Sequence, residues 1–155
     1  MENKEMNQAA TRRHKQVFVE GPIEPAFVGD AVGKHSAKTT IGAHSIFLGQ
    51  VRSDMLDGRT VTAIEYSAYL DMAEAKFSEI REATFAKYPL TCMHLYHSLG
   101  RVGAGEISLF VFTSGVHRRE AIDACNEVVE RIKQEVPVWG KEIFEDETYT
   151  WKENK

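Results

Sequence analysis

SGVHRREAIDACNEVVERIKQEVPVWGKE (Ser114–Glu142) is the stretch that decides how this chain is built. Ile122, Cys125, Val129, Ile132 and Val136 recur at spacings of three and four, which predicts an amphipathic helix. Pro137 disfavours helical geometry at Val136, so the helix should stop there. At about 100° per residue, Lys133 falls about 60° from the centre of the apolar stripe, at the edge of the buried face. Arg131 points about 140° the other way, toward solvent. A lysine in that place covers apolar surface with its stem, or works in a site. His117 and Arg118 open the helix, where free N–H groups and the helix dipole favour an anion. Positive charge opposes that dipole unless an anion sits beside it.

Outward from this helix, the chain reads as alternating pairs of strands and single helices. Gln16–Ile23 suggests a short strand closed by Gly21 and Pro22, and Glu24–Lys38 a loop or short helix. Thr39–Val51 reads as a two-sided strand, followed by a loop, Ser53–Thr60, with Asp57-Gly58 as its turn. Val61–Tyr69 is rich in β-branched and aromatic residues, a strand pattern. Asp71 can cap a helix to about Lys87, with Ala73, Phe77, Ile80 and Thr84 on one face. Thr91–Leu99 and Glu106–Thr113 are expected strands around a loop at Gly100–Gly105. Glu142–Lys152 closes the chain as a hairpin turning near Glu145–Thr148. Helices that follow pairs of strands suit an α+β fold: a largely antiparallel sheet with two main helices packed on it and a C-terminal β-hairpin.

Composition limits the functions available. The 155 residues suffice for one core: a tail over 1–15 and a single domain over 16–155. Hydrophobic residues make up 43% and charged ones 27%, as in soluble globular proteins. A net charge of −4 argues against nucleic-acid or anionic-membrane binding, and no apolar run is long enough to span a bilayer. The first fifteen residues lack the apolar core of a secretory signal. Two cysteines, Cys92 and Cys125, fit a reducing cytoplasm rather than a disulfide framework.

Familiar catalytic motifs are missing. Gly100, Gly103 and Gly105 are in the wrong order for a dinucleotide loop. His94 and His97 should point to opposite faces of a strand, so no zinc site and no cofactor are expected. Cys125 belongs to the apolar stripe, where burial makes a thiol unreactive. The remaining candidates are cationic: Arg52 at a strand end, the His117-Arg118 pair and Lys133. Arginine offers a planar fork to phosphate or carboxylate. Arg52 alone is equally a solvated strand end, and His117-Arg118 equally an exposed helix start.

Ordered blocks along Thr39–Lys155 carry a resemblance. They are FLGQVR (Phe47–Arg52), DGRTVTAIEY (Asp57–Tyr66), Met72-Ala73-Glu74, HSLGRVGAGE (His97–Glu106), SGVHR (Ser114–Arg118) and KQEVPVWGKE (Lys133–Glu142). In these the chain resembles the catalytic (large) subunit family of molybdopterin synthase. The resemblance implies an α/β hammerhead-like fold. It also implies conversion of cyclic pyranopterin monophosphate to molybdopterin. The sulfur would come from a thiocarboxylate on the C-terminal Gly-Gly of a small β-grasp carrier subunit. Large subunits would form a homodimer, with a carrier at each end of a heterotetramer. By position, Lys133 corresponds to the family's essential lysine, and Phe47, Arg52, His117 and Arg118 to pocket residues. Lys155 corresponds to a basic residue supplied by the neighbouring protomer. The family usually reads P-x-W-K-K-E, whereas Gly140 stands at the first of those lysines here. Lys141 swings into the role, the second lysine is dispensable, or activity is reduced; sequence leaves all three open. Gly140 also admits a non-catalytic module that only binds the β-grasp carrier.

Overall fold

In the computed structural model, which describes residues 17–153, strand β5 (Leu90–Gly103) organises the sheet. Its first half pairs antiparallel with β6 (Ile107–Gly115), which pairs with β2 (Ala43–Gln50). Its second half pairs with β4 (Arg59–Ala68), which continues through β7 (Val138–Phe144) to β8 (Tyr149–Trp151). The sheet order is β2-β6-β5-β4-β7-β8. A short β1 (Phe18–Glu20) joins β5 in parallel at His97–Leu99, where β5 changes partners. Gly100 follows at φ +78°, and a Cβ there would lie 2.7 Å from a Glu20 carboxylate oxygen. Glycine therefore permits the bend that hands β5 from β6 to β4.

The loop expected at Gly100–Gly105 is thus mostly strand, because Gly100–Gly103 pair with Tyr66–Ala63. The Asp57-Gly58 turn has positive φ at both residues, 52° and 75°, as a two-residue hairpin requires. It joins β4 to a two-residue β3 (Met55–Leu56) within the expected Ser53–Thr60 loop. The closing hairpin starts earlier than expected, at Val138, directly after Pro137.

Two long helices cover one face. Helix α2 (Leu70–Lys87) buries Ala73, Phe77, Ile80 and Thr84, the face the periodicity gave. Its N-cap is Tyr69 rather than Asp71, which lies inside the first turn, where a carboxylate favours the dipole. Helix α3 (Arg118–Glu135) ends at an extended Val136 before Pro137. Ile122 is 53% exposed, so Ala121, Ala124 and Val128 belong to the buried stripe and Ile122 does not. Arg131 does not run free into solvent: it lies at the α2–α3 seam and binds Glu135 through two hydrogen bonds, 2.6 and 3.0 Å. The Glu79 carboxylate of α2 is 3.8 Å away. Between helices and sheet, Phe77, Met93, Leu95, Val111, Val128 and Ile132 form the main core. Each such fully buried side chain contributes about 1.5–3 kcal/mol.

The opposite face carries α1 (Pro25–Lys34), where the sequence left loop or short helix open. Pro25 starts it with a preset φ. Val28 and Ala31 pack on Phe110, Phe112 and Ile23. A 3₁₀ turn, His35–Ala37, follows. Consequently β6 is buried on both faces.

Candidate functional site

The C-terminal end of α3 leans over the corner where β2, β4 and the β7–β8 hairpin meet. Two connected hollows open there, and Lys133 and Lys152 line both. The inner hollow is walled by Ile64, Tyr66, His97, Trp139 and Gly140. The outer one adds Phe47, Arg52, Glu142 and Trp151, and encloses about 590 Å³. That lies within the roughly 300–1,000 Å³ typical of small-molecule sites. A bulge between Gly49 and Gln50 in β2 turns the strand end toward the inner hollow.

Lys133 owes its place to the helix. It sits one residue beyond Ile132, which is buried in the core, and it is the basic residue of the last turn. The residue keeps open surface, yet the cleft walls crowd its stem and head. Desolvation therefore holds its pKa below the usual lysine range, and the nearby Lys152 ammonium lowers it further. Lys152 is fixed by its own backbone N–H, which donates to the Gly140 carbonyl at 2.8 Å. Arg52 is strongly exposed, with one guanidinium nitrogen 3.3 Å from Asp54. Such a pair contributes about 1 kcal/mol at most, leaving the guanidinium available to a ligand.

The floor is neutral and polar. His97 is buried, and burial pushes its pKa down to about 4, with Lys133 adding to the effect. Its Nδ1–H donates to the Ser98 carbonyl at 2.7 Å, which leaves Nε2 as the acceptor nitrogen. Tyr66 packs edge-on against that ring and donates to Ser108 at 3.3 Å. Burial raises the Tyr66 pKa, the Ser108 contact offsets part of that, and Glu142 raises it again. A carboxylate or phosphate entering here meets Arg52, Lys133 and Lys152 at a mouth that also carries Asp54, Glu130, Glu142 and Glu153, with hydrogen-bonding neutral groups beneath. Electrostatic positioning of anions is what this arrangement can do.

Of the residues singled out by sequence, Lys133, Phe47 and Arg52 share the cleft. Lys141 does not: strand alternation turns it away from Gly140, and its ammonium lies over the Tyr149 and Trp151 rings, 4.2 and 5.5 Å from their centroids. His117 and Arg118 line a separate hollow at the other end of α3. Lys155 lies outside the described residues. Sequence reasoning missed Lys152, Tyr66 and the role of His97. The motif blocks contain Tyr66 and His97, but only the bend in β5 shows that both face Lys133.

A family model described as MoaE protein matches residues 20–135. The chain belongs to the MoaE family. A molybdopterin synthase catalytic subunit from Oryza sativa subsp. indica is 39% identical over 121 residues, 78% of this chain and 62% of its own length. One from Taeniopygia guttata is 39% identical over 139 residues, covering 89% of this chain and 88% of that one. This chain spans less than two thirds of the rice relative. The crystal structure of molybdopterin synthase from Staphylococcus aureus superposes with a TM-score of 0.76 at 32% identity, covering 88% of this chain and 95% of that one. A complex of subunits 1 and 2 of molybdopterin-converting factor from Helicobacter pylori gives the same TM-score at 18% identity, which shows a shared fold. The MoaE cleft thus sits on an α+β frame of the expected kind.

Proposed function

We propose that this chain is the catalytic subunit of a molybdopterin synthase, transferring sulfur to a pterin phosphate. The observation that carries the reading is Lys133: a lysine with a lowered pKa, flanked by Lys152 and Arg52, in a chain of the MoaE family. Its relatives from rice and zebra finch are named for that activity. The substrate, cyclic pyranopterin monophosphate, carries a phosphate. The sulfur donor, a thiocarboxylate at the C-terminal Gly-Gly of a small β-grasp carrier, is also anionic. Arg52 suits the phosphate and the lysines suit the thiocarboxylate. A thiocarboxylate is nucleophilic by itself, so the protein need only hold both anions together and stabilise developing charge. A lysine with a lowered pKa can also pass a proton as the carrier carboxylate leaves.

The docking partner would enter by the outer hollow, where Phe47 and Trp151 are exposed beside the cations. A homodimer would bring a neighbour's C-terminal residues, Lys155 among them, to the site, and two carriers would complete a heterotetramer. His117 and Arg118 would serve as a separate anion contact. No helix among the described residues is long and apolar enough to cross a membrane, and Cys92 and Cys125 are free thiols. Both facts accord with a cytoplasmic enzyme. A module that only binds the carrier is disfavoured by Lys152, which restores a second ammonium beside Lys133.

The test is direct. Purified protein, thiocarboxylated carrier and precursor are mixed, and the dithiolene product is measured. The parent should make product, Lys133→Ala should lose it, and Arg52→Ala should bind precursor more weakly. Product formation by Lys133→Ala at the parent rate would remove Lys133 from catalysis.

A further inference from the structure

A second cluster of reactive side chains lies on the sheet face opposite the cleft, between α1 and strands β2, β5 and β6. His94 and Cys92 are two apart on β5, so both project to this face. His35 reaches them from the 3₁₀ turn that ends α1. The imidazole Nε2 atoms of His35 and His94 are 3.0 Å apart. The ligand atoms of His35, His94 and Cys92 all lie within 4.8 Å of one another. His35 and Cys92 are buried, at 8% and 6% exposure, and His94 is half-buried.

We propose that His35 Nε2, His94 Nε2 and Cys92 Sγ form a binding site for a divalent transition-metal ion of zinc type. His35 is already oriented for an ion; His94, whose Nε2–H donates to His35 Nε2 here, would carry its proton on Nδ1 with the ion bound. The Nδ1–H of His35 donates to the Ala31 carbonyl at 2.7 Å. A carbonyl can only accept, so the His35 proton is on Nδ1 and the Nε2 lone pair faces His94. That is the outer hydrogen bond with which metal-bound histidines are oriented. The Lys38 ammonium lies 2.8 Å from the Cys92 sulfur. Metal binding displaces the proton of a cysteine ligand. Two imidazoles and one thiolate are a borderline-soft donor set, which suits Zn²⁺ and excludes hard ions such as Mg²⁺ or Ca²⁺.

The geometry is close to what the ion needs. Tetrahedral zinc with bonds of about 2.0–2.3 Å places its ligand atoms about 3.3–3.6 Å apart. Small rotamer changes bring the three donors to that spacing. His44, whose ring lies 6.1 Å from that of His35, is tied through Nδ1 to Ser114 at 2.7 Å and walls the site. Three protein ligands leave a fourth position for water. The ion would pin the end of α1 to the centre of the sheet, away from Lys133 and independent of the sulfur-transfer reading. His94 and His97 do face opposite sides of β5, so spacing along the strand shows no site. The partner that matters, His35, is 59 residues away along the chain.

The test uses the full chain, stripped of metal, kept reduced, and titrated with cobalt(II) and zinc(II). One equivalent should bind, the cobalt form should show a thiolate-to-metal charge-transfer band, and zinc should raise the melting temperature. Cys92→Ser should abolish the band, whereas Cys125→Ala, which alters the thiol on the other face, should keep it. His35→Gln and His94→Gln should each weaken binding by more than the about 10–100-fold typical of outer-shell changes. If Cys92→Ser does not fold, His94→Gln decides by the same readouts. No stoichiometric binding would overturn the site and leave an ordinary histidine–histidine hydrogen bond. A band that survives Cys92→Ser, or a metal affinity unchanged in His94→Gln, would overturn it equally.

Discussion

Lowering the pH should cost this protein stability through one buried imidazole. His97 has a folded pKa of about 4 against a normal 6.5. The folded state therefore holds His97 neutral while the unfolded chain protonates it. Stability from this source is intact above about pH 6.5, falls as pH drops through the interval, and levels off below about 4. At 1.36 kcal/mol per pKa unit, the loss is about 1.4 kcal/mol by pH 5.5 and about 3 kcal/mol by pH 4. Carboxylates such as Glu127 and Glu135, whose pKa values are held down by Lys87 and Arg131, lose stability in the same direction. A comparison isolates the histidine: urea unfolding of the parent and His97→Gln at pH 7, 5.5 and 4, at one protein concentration. The parent should be the more stable at pH 7, and the gap should shrink by about 3 kcal/mol at pH 4. Parallel losses in the two proteins, within about 0.5 kcal/mol, would refute a neutral buried His97.

Two further perturbations act on the cleft. Lys152→Met removes the cation that helps depress Lys133, so the Lys133 pKa should rise. NMR of ¹³C-methylated lysines reads that shift directly, and an unmoved Lys133 resonance would show that Lys152 does not act on it. Gly140→Ala places a Cβ 2.9 Å from the Ile64 methyl, a buried β-branched group with little room to retreat. Overpacking of this kind costs about 1–3 kcal/mol, measurable by denaturant unfolding, and an unchanged or raised stability would contradict the contact.

Periodicity revealed the parts of the fold in which one face is buried. Helices α2 and α3 have such faces, and Pro137 marks the end of α3 unambiguously. Detail failed where tertiary contacts outweighed local pattern. Ile122 matches the stripe by spacing, yet the smaller Ala121 and Ala124 occupy the sheet-facing positions. Three glycines over Gly100–Gly105 read as a loop, but pairing of Gly100 and Gly103 with β4 overrides the weak strand propensity of those two. In the cleft, Lys133 was legible from its helix and Arg52 from its strand end. Lys152 was hidden although the closing hairpin was expected, because its place opposite Gly140 depends on the β7–β8 register, which local pattern does not give. Lys141 misled for a simple reason: strand alternation reverses direction at every residue, and Gly140 already faces the cleft.

That alternation explains how a site with glycine at position 140 can still hold two ammonium groups. Gly140 leaves a bare stretch of wall on β7, backed by Ile64 and Tyr66. A longer side chain there would first have to clear the Ile64 methyl. Hairpin pairing offers another route to the same space. The Gly140 carbonyl accepts from Lys152, so Lys152 leaves the chain just past β8, opposite the vacant wall. From there its ammonium adds to the desolvation that already lowers the pKa of Lys133. Charge in a cleft is set by where the ammonium ends, not by which strand carries it. A glycine in the middle strand and a lysine just past the edge strand are one arrangement, and altering either should be felt at Lys133.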